Sequence, residues 1–260
     1  MAQLYKAFLL TLVLSTIANH AQATELTYYV VEKQSRPFQI EANGQSQGGI
    51  ITDIVSELSQ RLNWQLRIKI LPFKRMLQDM DKHKHDSWIN YAAPAWGVEG
   101  VRGAQNRNLV MPAIMEVKHK LLLRADNSFE LSSKEDLWGK TLITLMGFDY
   151  PGIDAELQQG LIHRLEVKDH YAAIKAVYAQ RGLGFVGMEN RILYNMKREN
   201  IDASLYKLID FSDVIPSYKI FLGVSPDFDP QLKQQLQQEF VKMKHEGVVE
   251  TIIARYTTLL

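Results

Sequence analysis

Between Leu26 and Tyr91 the spacing of apolar residues switches twice from strand to helix period and back. Leu26 to Val31 (LTYYVV) is β-branched and aromatic, which predicts a buried strand. Ile51, Ile54, Val55, Leu58 and Leu62 share one helical face. Trp64, Leu66, Ile68 and Ile70 then alternate with Gln65, Arg67 and Lys69, the two-residue period of a half-exposed strand. Pro72 is placed to open a second helix over Phe73 to about Lys82 as a first-turn proline, and Ser87 to Tyr91 (SWINY) reads as a third strand. A strand-helix-strand-helix-strand order calls for parallel strands with right-handed crossovers, and in open α/β sheets ligands sit at the C-terminal ends of such strands.

The pattern restarts further on. After a loop over Ala93 to Asn108, Lys118 to Arg124 reads as a strand. Ser132 and Glu135 are spaced as a capping box before Leu137. Thr141 to Met146 is strand-like, Ile153 to Gly160 helical, and Leu165 to Val167 strand-like. Ala172 to Gln180 reads as a helix, Gly184 to Met188 as a strand and Arg191 to Lys197 as a helix. Tyr218 to Val224 is another strand. Leu232, Leu236, Phe240 and Met243 form a helical stripe that Gly247 separates from a terminal helix over Val248 to Tyr256. A tail of this length must pack on something, and the first half of the chain is the economical place.

The N-terminus constrains the compartment. Met1 to Lys6 carries one positive charge, Ala7 to Ala18 is apolar, and Ala21-Gln22-Ala23 fits a small-x-small cleavage site, so residues 1–23 read as a signal peptide and the mature chain begins near Thr24. An apolar run of about 12 residues is too short for a bilayer that needs roughly 20. Export to the periplasm as a soluble protein is the expectation. The chain has no cysteine, which removes lipid attachment, disulfides and thiolate chemistry. Losing Lys6 with the signal lowers Lys+Arg from 30 by one, level with Asp+Glu 29. A chain with no net charge has no overall field for nucleic acid or an anionic membrane.

Several motifs point away from catalysis. Gly182-Leu183-Gly184-Phe185-Val186-Gly187 matches the dinucleotide fingerprint by letter, but it follows a helix and enters a strand, the reverse of what that motif requires. His83-Lys84-His85 has no third and fourth ligand nearby and reads as a solvated helix end, so no metal or other cofactor is expected. No nucleophile elbow, zinc-protease helix or phosphate loop is present in the sequence.

Five segments, in order, resemble one family. They are Arg36-Pro37-Phe38 after the first strand, Gly49-Ile50-Ile51-Thr52-Asp53-Ile54 opening the first helix, Phe73 to Asp86, Asp136-Leu137-Trp138-Gly139-Lys140, and Leu236 to Tyr256 with its mid-helix glycine. Together the chain resembles the periplasmic solute-binding proteins of family 3, which serve polar amino-acid ABC transporters. The resemblance implies an α/β, two-lobed periplasmic-binding-protein fold of type II, two α/β lobes joined by two crossover segments near Met115 to Leu122 and Ile209 to Tyr218. Lobe one would hold 24–117 and 217–260, and lobe two 118–216. It implies a monomer that closes about its hinge on a small polar, amino-acid-like ligand and docks on an ABC permease of the inner membrane.

Family positions carry over residue by residue. Glu32 matches the polar residue that holds the ligand before the proline loop, and Phe73 the aromatic that stacks on it. Arg102 is the nearest match to the arginine that forks onto the ligand carboxylate, although the segment from Asp86 to it is longer than the family's spacing. Arg75 and Arg191 are alternative carboxylate partners. Tyr91-Ala92-Ala93-Pro94-Ala95-Trp96 replaces the usual hydroxyl-rich lead-in, offering Tyr91 and Trp96 as cleft aromatics. Gly147 is followed by Phe148 and Asp149 where small hydroxyl residues are usual. Asp149 could equally cap a helix. Glu189, directly after the strand Gly184 to Met188, matches the acid that receives an ammonium group. Two rivals stay open: a cyclohexadienyl-dehydratase-like enzyme using Glu189 or Asp149 as general acid, and an orphan binding protein serving a membrane sensor.

Overall fold

The computed structural model describes residues 24–33, 35–83, 86–96 and 108–259. The signal-like segment 1–23, and with it the export reading, lies outside these residues.

The first unit opens with β1 (Glu25–Val31), buried on both faces after Glu25. A small hairpin follows, β2 (Glu41–Ala42) and β3 (Gln45–Ser46). Then come α1 (Ile50–Leu62), β4 (Gln65–Leu71), α2 (Phe73–Lys82), β5 (Trp88–Ala92) and β6 (Leu109–Val117). β1 pairs in parallel with both β4 and β5, as the alternation predicts. α1 buries Ile51, Ile54, Val55 and Leu58 on one side of the sheet. On the other side α2 drops Met76 and Met80 onto Tyr29, Val31 and Trp88. Pro72 stands one position earlier than expected, as the N-cap of α2 rather than inside its first turn.

The second unit runs β7 (His119–Arg124), β8 (Thr141–Leu145), α3 (Asp154–Gln158), β9 (His163–Val167), α4 (His170–Tyr178), β10 (Gly184–Met188), α5 (Glu189–Arg198) and β11 (Tyr206–Asp210). Its sheet order is β11-β7-β10-β8-β9, with β8 parallel to β9 and β10 and β7 antiparallel to its neighbours. The capping box sits one residue on from the expected pair. The Asp136 carboxylate accepts the Ser132 and Ser133 N–H groups at 2.8 and 2.7 Å, and Ser133, not Ser132, is the cap.

The chain then returns. β12 (Tyr218–Val224) enters the first sheet, whose order is β4-β1-β5-β12-β6, and α6 (Pro230–His245) and α7 (Val248–Thr257) complete the fold. Leu236, Phe240, Met243, Val249 and Ile252 join the core of β1 and α1; each such side chain contributes about 1.5–3 kcal/mol by leaving water. The strands thus form two α/β lobes, each with its own apolar core, joined at Lys118 and through 211–217.

Local anchoring fixes the loop after β1. Gln39 is buried, donates to the Tyr28 hydroxyl and the Tyr29 carbonyl, and accepts the Val31 N–H. Ile50 and Ile51 donate their N–H groups to the carbonyls of Pro37 and Phe38. Gly49 lies at φ 116°, where a Cβ would come 2.7 Å from the Phe38 carbonyl oxygen, so only glycine lets the chain pass here. The Gly49 N–H donates to the Tyr256 hydroxyl of α7 at 2.9 Å, and that hydroxyl donates to Asp53 at 2.7 Å. α7 also reaches lobe two: Lys197 of α5 donates to the Arg255 carbonyl at 2.8 Å. Among the described residues no helix is long and apolar enough to cross a membrane.

Candidate functional site

A cleft of about 510 Å³ opens between the lobes. Lobe one supplies Lys33 and Arg36 from the loop after β1. Lobe two supplies Leu145, Met146 and Phe148 at the end of β8, Lys168, Asp169 and His170 at the start of α4, and Arg191, Asn195 and Arg198 from α5. These are the C-terminal ends of the parallel strands, where an open α/β sheet leaves a crevice. The volume suits a small ligand.

Arg191 stands at the back of this cleft. It is the third residue of α5, directly beyond buried β10, so the backbone delivers its side chain toward the lobe junction. Its guanidinium lies 5.7 Å from the centre of the Phe38 ring, across the lobe boundary. Its Nε is shielded from solvent and has no hydrogen-bond partner. Burial holds the guanidinium below its ordinary pKa, and the phenols of Tyr91, Tyr218 and Tyr150 work against that shift. Tyr91 comes from lobe one and Tyr150 from lobe two, so the cation feels phenols of both lobes. Tyr91 packs at 5.9 Å on the same Phe38 ring. The Tyr150 hydroxyl is fixed by the Leu145 N–H at 2.8 Å. Burial pushes both phenols up, and the positive charge of Arg191 pulls them down. Arginine also suits the task chemically, because its planar fork matches an acid group with two parallel hydrogen bonds.

Two histidines feel the same charge. His170, the first residue of α4, packs edge-on against Phe185 at 5.7 Å. Burial first, then the charge of Arg191, lowers its pKa to about 4. His119 is lowered by the same two causes, and its Nδ1 is buried without a partner.

The sequence-predicted residues distribute unevenly. Phe148 lines the cleft and is 40% exposed. Tyr91 is buried beside Arg191. Glu32 lies next to it in sequence from cleft-lining Lys33 and is paired with that lysine at 2.9 Å. Phe73 begins α2 and is exposed, as is Arg75 two residues on. Asp149 is exposed and is not a cap, because α3 starts at Asp154, whose carboxylate accepts the Tyr150 N–H. Glu189 is half-buried where α5 meets the first crossover, its N–H bonded to the Lys118 carbonyl. Neither Asp149 nor Glu189 is among the residues lining the cleft. Arg102, the side chain of Trp96, and Lys84-His85 lie outside the described residues. Among the described residues no three His, Asp or Glu side chains gather as a metal site.

Sequence reasoning did not single out Arg36, Phe38, Tyr150, His170, Asn195 or Tyr218 as site residues. For Arg36 and Phe38 the signal was present: the Arg36-Pro37-Phe38 motif lies in the loop at the C-terminal end of β1. Tyr150 and Tyr218 carried none, since nothing local shows that they converge on Arg191.

Two α/β lobes, two crossovers and a cleft at the strand ends define a two-lobed periplasmic-binding-protein fold. The family model for bacterial extracellular solute-binding proteins, family 3, matches residues 28–258. The chain belongs to that family, a family of solute-binding proteins. Comparison with curated proteins finds no match. Among solved structures, an ancestral cationic amino acid solute-binding protein superposes with a TM-score of 0.64 at 14% identity, covering 90% of this chain and 96% of that one. A putative binding component of an ABC transporter from Wolinella succinogenes DSM 1740, complexed with lysine, gives 0.63 at 16% identity, with 90% and 96% covered. A histidine kinase sensor domain with similarity to periplasmic binding proteins gives 0.60 at 15% identity, with 92% and 98% covered. At these identities the likeness is one of fold.

Proposed function

We propose that this protein captures a small, acid-bearing solute in the cleft between its lobes, closes over it by hinge motion, and delivers it to an ABC permease of the inner membrane. One observation carries the reading: Arg191 lines the cleft between the two lobes, its guanidinium set on Phe38 and its Nε buried without a hydrogen-bond partner. An unsatisfied buried donor costs about 1–3 kcal/mol, and an acid group on the ligand would remove that cost. Residues 1–23 act as the export signal, 24–117 with 217–260 form lobe one, and 118–216 form lobe two.

The protein acts as a monomeric binder rather than an enzyme. A dehydratase needs a general acid facing its substrate. The one carboxylate lining the described cleft is Asp169, whose Oδ1 caps α4 by accepting the Ala172 N–H at 2.8 Å. Delivery to a transporter rather than a sensor rests on the family.

The test is native mass spectrometry of protein exported to the periplasm. The wild type is expected to retain a small organic acid, and Arg191→Met to lose it with a ~30-fold or greater drop in affinity by calorimetry. Undiminished binding in Arg191→Met, or turnover of a prephenate-like substrate by the wild type, would overturn the reading.

A further inference from the structure

The charges around the cleft are lopsided. Its lining holds Lys33, Arg36, Lys168, Arg191 and Arg198 against Asp169. Three of these cations have acids close by. Lys33 is 2.9 Å from Glu32, Arg198 is 2.7 Å from Glu199, and Lys168 is 3.9 Å from Asp169. Arg36 and Arg191 have no carboxylate partner among the described residues. Arg36 spends Nη2 on the Glu41 carbonyl at 2.7 Å, which leaves most of its five donors free. Arg36 belongs to lobe one and Arg191 to lobe two. Both line the cleft, and Phe38, two residues from Arg36 in the sequence, has the Arg191 guanidinium 5.7 Å from its ring centre.

We propose that the ligand is a small dianion, with one acid group seated on Arg191 and the other on Arg36 across the cleft. The proposal rests on the reading of this cleft as the ligand site and goes further by fixing the ligand's charge. A cleft lined by one sign of charge concentrates ligands of the opposite sign. A ligand ammonium would meet like charge here, and Asp169, the one lining carboxylate among the described residues, already serves as a helix cap. A dianion instead supplies charge-assisted hydrogen bonds to both arginines and ties one lobe to the other. The structural neighbour complexed with lysine shares the fold with this chain, and its ligand has the opposite charge.

The experiment is isothermal titration of the wild type, Arg36→Gln and Arg36→Lys against four probe sets. These are straight-chain dicarboxylates of three to six carbons, phosphorylated hydroxy acids, the matching monocarboxylates, and lysine with neutral amino acids. At least one dianion is expected to bind the wild type more tightly than its monoanionic counterpart. Arg36→Gln should weaken that dianion by about tenfold or more and its monoanionic counterpart by a much smaller factor. Arg36→Lys, which keeps the charge and loses the fork, should fall between them. Dicarboxylates and phosphorylated acids are told apart by which arm binds. Absence of binding by every dianion, or a dianion affinity indifferent to both Arg36 variants in folded protein, overturns the proposal. A zwitterion or monoanion that binds and is lost in Arg191→Met would leave the proposed function standing and sink the dianion alone.

Discussion

A guanidinium nitrogen buried without a hydrogen-bond partner lowers the stability of the ligand-free protein, and the Nε of Arg191, packed on Phe38, is in that state. Removing such a charge in favour of an apolar side chain of similar reach relieves the cost. The Arg191→Met variant that loses the ligand should therefore melt no lower than the wild type when both are empty. His170 makes a second claim at this scale. In the folded protein it stays neutral down to about pH 4, whereas the unfolded chain protonates it near 6.5. Between those values the unfolded state holds the extra proton, so stability is complete above pH 6.5 and falls as the pH drops toward 4. The shift corresponds to about 3 kcal/mol at most. Burial and the charges of Arg191 and Arg198 act in this direction, and Asp169 opposes them. Urea titrations at pH 7.5 and 4.5 should show the loss in the wild type and a smaller one in His170→Gln; equal losses would remove His170 as the cause.

Elements with a strong apolar period were legible. α1, α2, α4, α5, α6 and α7 all fall within a few residues of their predicted spans, because their buried stripes repeat at helical spacing. Four strands went unread: the two-residue hairpin strands β2 and β3, and β6 and β11, which are edge strands of the two large sheets. An edge strand is paired on one side only, so its sequence is less constrained. β6 carries Pro112 at its middle, which a central strand would not tolerate. Its pairing with β12 skips register between Ile220 and Leu222, in the stretch where the proline falls. β4 shows the same looseness. It too is an edge strand, and Ile68, predicted to face the core with Leu66 and Ile70, is 44% exposed. Gly49 is the element-scale test, since it sets where α1 begins beneath the Phe38 platform. Gly49→Ala combines a left-handed φ with a Cβ 2.7 Å from a backbone oxygen. It should cost about 2 kcal/mol or more in chemical denaturation and weaken ligand binding by displacing Phe38. A variant of wild-type stability would show that the loop yields.

Across the whole molecule, α7 connects the two lobes. It is bonded to Asp53 and Gly49 of lobe one and to Lys197 of lobe two. α5 therefore presents Arg191 to the cleft while its far end is tied to the C-terminal helix. Lobe closure should leave this contact in place and narrow the opposite, open side of the cleft. Small-angle scattering should show a smaller radius of gyration at saturating ligand, together with about 2.7 kcal/mol of added stability at a hundred times Kd. Saturation without compaction would argue against hinge closure.

The two lobes came with the family resemblance, whereas the order of strands and helices and the restart of the α/β pattern were written in local periodicity and in the spacing of glycines and prolines, because each of those follows from near-neighbour geometry. The site was not. Arg191 read as one of several candidate arginines, and Glu189 beside it read as the better ligand residue. What distinguishes Arg191 is that Phe38, Tyr91, Tyr150 and Tyr218, scattered over 180 residues, are brought near it, and that its Nε is buried without a partner. Desolvation belongs to the assembled surroundings of a side chain and not to its place in the sequence, so only the tertiary structure could decide which cation was left with a buried, unpartnered nitrogen.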